Sequence, residues 1–137
     1  MLKNLNYVVC ITIQTMPFSS GWFFDAESNR LSVVESTFSY EDIARIIKSR
    51  ELKSETFETD DGAFRVWFNN DMREQFFYNE SAQHVLGKIV MQWPTFHGNF
   101  LVTHSLNSNE VFTKMPDITL TQFVDSCNLA IEKRRKK

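Results

Sequence analysis

Two periods of apolar and polar positions run along this chain. A period of two appears at 63–68, where Phe64, Val66 and Phe68 alternate with Ala63, Arg65 and Trp67. That is the pattern of a strand with one buried face. The run 55–59 precedes it across an Asp61-Gly62 turn signal, so the two predict a hairpin, which Asn69, Asn70 and Asp71 then end. Residues 22–24 and 31–34 predict a second hairpin around the polar stretch 25–29. Ahead of it, 16–21 reads as a loop, since it holds Pro17, Ser19, Ser20 and Gly21. The apolar run 7–13 predicts a strand buried on both faces. It is short, β-branched and without a small-residue cleavage site, which suits a strand better than a signal peptide. Strands are also predicted over 99–103, at an edge over 73–78, and over 111–114 after a turn at Asn107, Ser108 and Asn109.

The helical period occurs three times, each time behind a start signal. Ser39 caps the first helix, with Asp42 three residues on and Phe38 and Ile43 at the two staple positions. Ile43, Ile46 and Ile47 form its apolar face, and Arg45, Lys48 and Arg50 lie toward its C-terminus, where cations suit the macrodipole. Asn79 caps a second helix with Glu80 in its first turn; Ala82, Val85, Leu86 and Ile89 share a face, and Pro94 closes it. Thr119 and Gln122 make a full capping box for the third, Ile118 and Phe123 its staple, and Phe123, Val124, Cys127, Ala130 and Ile131 its buried side. These elements predict one α+β domain over 1–137, a mostly antiparallel sheet of five to seven strands with three helices.

Composition agrees with a packed core. Hydrophobic residues make up 42% and charged residues 23%, outside the range of disordered chains. With 13 Phe and 3 Trp, either the core is rich in aromatic rings or some of them form a recognition surface. No stretch of 18 apolar residues is present, so no membrane helix is expected. Cys10 and Cys127 lie far apart, in a predicted strand and a predicted helix, and read as reduced buried thiols of a cytoplasmic protein. Lys133, Arg134, Arg135, Lys136 and Lys137 form a basic tail. The net charge is −2, so without those five cations the first 132 residues carry −7. An acidic body argues against a broad nucleic-acid surface on the folded part.

The middle of the chain resembles a family of small phage- and plasmid-encoded domains. The matching features are the Asp60-Asp61-Gly62 turn, the strand 64–68, the polar turn at Asn69, Asn70 and Asp71, Asn79 with Ala82 at the helix start, and the Gly98-led strand to Val102. The helix at 40–48 sits where that family also has one. Ser49 and Arg50 stand where the family carries glycines, and Phe76, Phe77 and Tyr78 replace its Leu-Pro-Val. The resemblance implies a mobile-element origin and action in a bacterial cytoplasm, and it brings no catalytic residues.

Little in the residues points to catalysis. His84, His97 and His104 show none of the spacings of a metal site, and a site built on His97 and His104 needs a third ligand from elsewhere. No nucleophile elbow is present, and Gly21, Gly62, Gly87 and Gly98 are too scattered for a phosphate loop. No catalytic residue, metal or cofactor is expected. Glu55, Glu58, Asp60 and Asp61 cluster on the hairpin, either as a solvated edge or as an acidic patch for a basic partner. The leading expectation is a non-enzymatic module that binds a host protein, an inhibitor or modulator. Its contact is expected at Glu55, Glu58, Asp60 and Asp61 with Trp67, or on the loop holding Trp93, Phe96 and His97. Two alternatives stand beside it: a small-ligand site or minor enzyme using His97 and His104, and a nucleic-acid contact through the tail 133–137.

Overall fold

The computed structural model describes residues 18–69, 77–89, 96–107 and 111–136. The predicted strand at 7–13, most of that at 73–78, Pro94, and residues 108 and 109 of the turn lie outside the described residues. Along the chain run β1 (Ser19–Asp25), β2 (Arg30–Ser36), α1 (Tyr40–Ile47), β3 (Leu52–Thr59), β4 (Gly62–Asn69), α2 (Glu80–Leu86), β5 (Phe100–Ser105), β6 (Phe112–Thr113) and α3 (Leu120–Arg135). The described residues thus form the expected α+β fold, a six-stranded antiparallel sheet with three helices. The sheet order is β2-β1-β5-β4-β3, with β6 paired to the end of β5. β5 enters late in the chain yet lies at the centre, between two local hairpins.

The alternation of side chains gives the sheet two dry faces. On one, Trp22, Phe24, Phe57, Phe64, Val66, Phe68, Phe100 and Val102 pack against α2 and α3. On the other, Leu101 packs against Phe38, Ile43 and Ile47, with Trp67 and Phe112 partly buried beside them. The predicted apolar face of α3 is buried in full, and its capping box closes with both bonds, Gln122 N–H to Thr119 Oγ1 at 3.0 Å and Thr119 N–H to Gln122 Oε1 at 2.8 Å. Ser39 caps α1 by accepting from the Asp42 N–H.

Three expectations need correction. Residues 19–21 are strand rather than loop, paired with Ser36, Glu35 and Val34. Gly21 is there for close approach, since a Cβ would stand 2.7 Å from the Val102 carbonyl oxygen and 3.1 Å from the Phe38 ring. The second helix ends at Leu86, well before Pro94, because Gly87 takes the C-cap. The hairpin loop is Asp60 and Asp61; Gly62 is the first residue of β4, at φ 108, where side-chain-bearing residues are strained.

Asparagines tie the element ends together. Asn79 is fully buried. Its Oδ1 accepts from the Ala82 N–H at 2.9 Å and the Ser81 hydroxyl at 2.8 Å, while Nδ2 donates to the Phe24 and Gly98 carbonyls at 2.9 and 2.8 Å. Asn99 accepts from the Ala26 N–H at 2.9 Å and reaches the Ile46 and Ile47 carbonyls at 3.4 Å. Asn29, at φ 54 in the β1–β2 turn, accepts from the Glu80 N–H at 3.1 Å. β1, α1, α2 and β5 meet through these amides.

Replacing Asn79 with Ala removes the cap and strands two buried carbonyls, an expected loss of about 2–4 kcal/mol in urea denaturation. Asp in its place keeps the acceptor but sets a carboxylate against those carbonyls, so it is expected to destabilise as well. Wild-type stability for Asn79→Asp rules the donor bonds out as a source of stability.

The carboxylate of Asp42 accepts from the Thr37 hydroxyl at 3.0 Å, the Ser36 hydroxyl at 3.1 Å and Arg45 Nη2 at 3.2 Å. The Thr37 hydrogen bond is the largest of the influences that lower its pKa from the ordinary 3.8, against a desolvation effect that raises it. A depressed carboxylate adds stability above its unfolded value and loses it as pH falls through its folded value. The stability difference between wild type and Asp42→Asn is therefore expected to be constant above pH 3.8 and to shrink below it in urea melts across pH. A difference that grows on acidification contradicts the assignment.

Candidate functional site

The two-residue turn at Asp60 and Asp61 brings the acidic hairpin against α3. The Ser126 hydroxyl donates to Asp61 Oδ2 at 2.9 Å, and Lys133 Nζ lies 3.7 Å from Asp60 Oδ1. The guanidinium of Arg134, the residue after Lys133, sits 5.7 Å over the Phe57 ring. The acidic hairpin and the basic tail, separate candidates in the sequence, are thus neighbours. Asp60 keeps 86% of its side chain exposed, so its ion pair with Lys133 contributes little stability. Lys136 pairs with Glu132 at 3.5 Å, Arg135 is exposed, and Lys137 lies outside the described residues.

Strand register divides the acidic set. Glu55 lies opposite Val66 and shares the α2–α3 face with Phe57, half-buried. Glu58 lies opposite Ala63 on the α1 face and is exposed. Trp67 is on that same α1 face. It is half-buried, its indole N–H donates to Thr103 Oγ1 at 3.0 Å, and its ring meets Phe112 edge-on at 6.4 Å. The Arg65 guanidinium covers Trp67 at 5.3 Å from the ring centroid, and Arg65 Nε donates to Thr56 Oγ1 at 3.0 Å. Arg65, Trp67 and Phe112 therefore make an ordered cation–aromatic patch, with Glu58 on the same sheet face.

Of the second expected contact region, Phe96 and His97 are among the described residues. Phe96 is a core residue, 4% exposed and 5.3 Å from the Phe100 ring, so it is no anchor for a partner. His97 is half-buried and forms an isolated bridge with Tyr78, the two rings 5.7 Å apart. Trp93 lies outside the described residues.

His97 and His104 belong to opposite ends of the β5 segment. His97 precedes β5, whereas His104 stands near its far end, about 13 Å beyond Phe100 at the rise of an extended chain. His104 is buried, with Nε2 donating to the Asp61 carbonyl at 2.6 Å and Nδ1 2.6 Å from the Thr113 hydroxyl. In the neutral ring the carbonyl fixes the proton on Nε2, so Nδ1 accepts from Thr113. A Cβ on Gly62 would collide with this imidazole, which ties the turn glycine to the histidine. Among the described residues no three His, Cys, Asp or Glu side chains gather to hold a metal ion, and no helix is long and apolar enough to cross a membrane.

A cleft that sequence patterns do not reveal opens between α2 and α3, with a volume of about 410 Å³. Val85, Leu120 and Val124 are its apolar residues. His84 and Lys88 come from the α2 side, and Thr121, Asp125 and Asn128 from α3. Asn128 Nδ2 donates to the Lys88 carbonyl at 3.2 Å and ties the two walls. The only hint in the sequence is that His84 and Lys88, and likewise Thr121, Asp125 and Asn128, recur at helical spacing.

No protein-family model matches the chain, and no curated protein or solved structure is found to match it. The functional reading rests on the residues themselves.

Cys127 is buried in the α2–α3 core, and burial pushes its thiol up to about 12 despite the nearby Arg134. A protonated, covered thiol is a poor nucleophile. Iodoacetamide at neutral pH is expected to leave Cys127 unmodified in the native protein and to label it in urea, read peptide by peptide by mass spectrometry. Native labelling at the rate of an open thiol contradicts this placement.

Proposed function

We propose that this chain is a protein-binding module that contacts its partner through the sheet face carrying Arg65, Trp67 and Phe112, with Glu58 at the rim. The observation that carries this reading is the ordering of Trp67 before any partner arrives. Its indole is held by Thr103 and covered by Arg65, and it is only partly buried. Trp and Arg dominate binding energy at protein interfaces, and an anchor fixed in advance loses little entropy on docking. The resemblance to phage- and plasmid-encoded domains gives the proposal its concrete form, an inhibitor or modulator of a host protein.

The turn acids are left out of the contact, since Asp61 serves Ser126 and Asp60 faces Lys133. The test is affinity capture from nuclease-treated bacterial lysate with the wild-type chain and three variants, each checked for an unchanged melting curve. One stoichiometric partner is expected with wild type and with Asp60→Lys, and loss of it with Arg65→Glu and with Glu58→Lys. Capture that survives both of those changes but is lost in Asp60→Lys moves the contact to the turn and overturns the assigned face. Absence of any partner overturns the module reading for that host.

A further inference from the structure

The α2–α3 cleft lies on the opposite side of the sheet from the Arg65–Trp67 patch, and its chemistry is different. The two walls carry opposite charge. Lys88, with His84 one turn before it, stands on one, and Asp125 on the other. Among the described residues no hydrogen bond or ion pair engages the His84 ring, the Lys88 ammonium or the Asp125 carboxylate. Charged groups that line one cleft without meeting leave a span for a ligand bearing both complementary charges. The polar groups Thr121 and Asn128 flank Asp125 on the α3 wall, and the apolar residues Val85, Leu120 and Val124 lie between the walls. A volume of about 410 Å³ falls within the range of small-molecule sites.

From this arrangement we propose that the cleft binds a small zwitterion with an apolar side chain, the chemistry of a free α-amino acid. Its carboxylate meets Lys88 and His84, its ammonium meets Asp125, and its side chain covers Leu120 and the edges of Val85 and Val124. The charges are solvent-exposed, so affinity is expected at about the millimolar level.

The test uses the ¹⁵N-labelled full chain, titrated with L-leucine and L-phenylalanine and followed by amide shifts. Saturable shifts are expected at 84–88 and 121–128. N-acetyl-L-leucine lacks the ammonium and L-leucinamide lacks the carboxylate, and each is expected to bind about tenfold more weakly, the effect of one lost charge contact. Asp125→Asn and Lys88→Met alter exposed side chains and are expected to weaken L-leucine to a similar degree with unchanged melting curves. No saturable shift with either amino acid overturns the proposal. So does equal binding of the blocked compounds, which reduces the cleft to a patch of apolar contact.

Discussion

The buried amide of Asn79 is the constraint on which the rest of this fold hangs. An asparagine with no solvent must find partners for every polar atom, or its burial costs several kcal/mol. Here it bonds to the end of β1, the approach to β5 and the first turn of α2. Asn99 repeats the arrangement toward α1. α1 and α2 are short, with 8 and 7 residues, and helices of that length do not persist alone. They are helices because the sheet buries their apolar faces and the amides hold their ends. That rigidity reaches both candidate surfaces, since α2 forms one wall of the cleft and β5 carries Thr103, which holds the Trp67 indole.

Charge on this molecule is partly answered from within. Lys133 of α3 stands against Asp60 of the turn, and Arg134 lies on the Phe57 ring. The tail that looked like an independent nucleic-acid contact is therefore the end of a helix already facing the acidic hairpin. The two candidate surfaces lie on opposite sides of the sheet, a cation–aromatic patch on the α1 face and a two-charge cleft on the α2–α3 face.

Local signals were legible and distant ones were not. Caps, staples and periodic faces concern residues within one or two turns, and Ser39, Asn79 and the Thr119–Gln122 box all perform as their positions suggested. The start of β1 was hidden because Ser19, Ser20 and Gly21 have the composition of a loop, while their strand character comes from pairing with β2. Strand register separates Glu55 from Glu58, although their closeness in the chain suggested one patch. Burial of Phe96 and His104, the Asp61–Ser126 contact and the α2–α3 cleft depend on how distant segments dock. No local pattern encodes them.

The order of strands carries a consequence for synthesis. β5 is the central strand, but it leaves the ribosome after both hairpins that flank it. Until residues 100–105 emerge, β1 and β4 each present an unpaired backbone edge flanked by Trp22, Phe24, Phe64, Val66 and Phe68. Such edges are templates for association between nascent chains. The Trp22–Val102 and Val66–Val102 pairs close long loops, so central pairing comes late and slowly. The interval of exposure is thus set by the distance along the chain between β4 and β5.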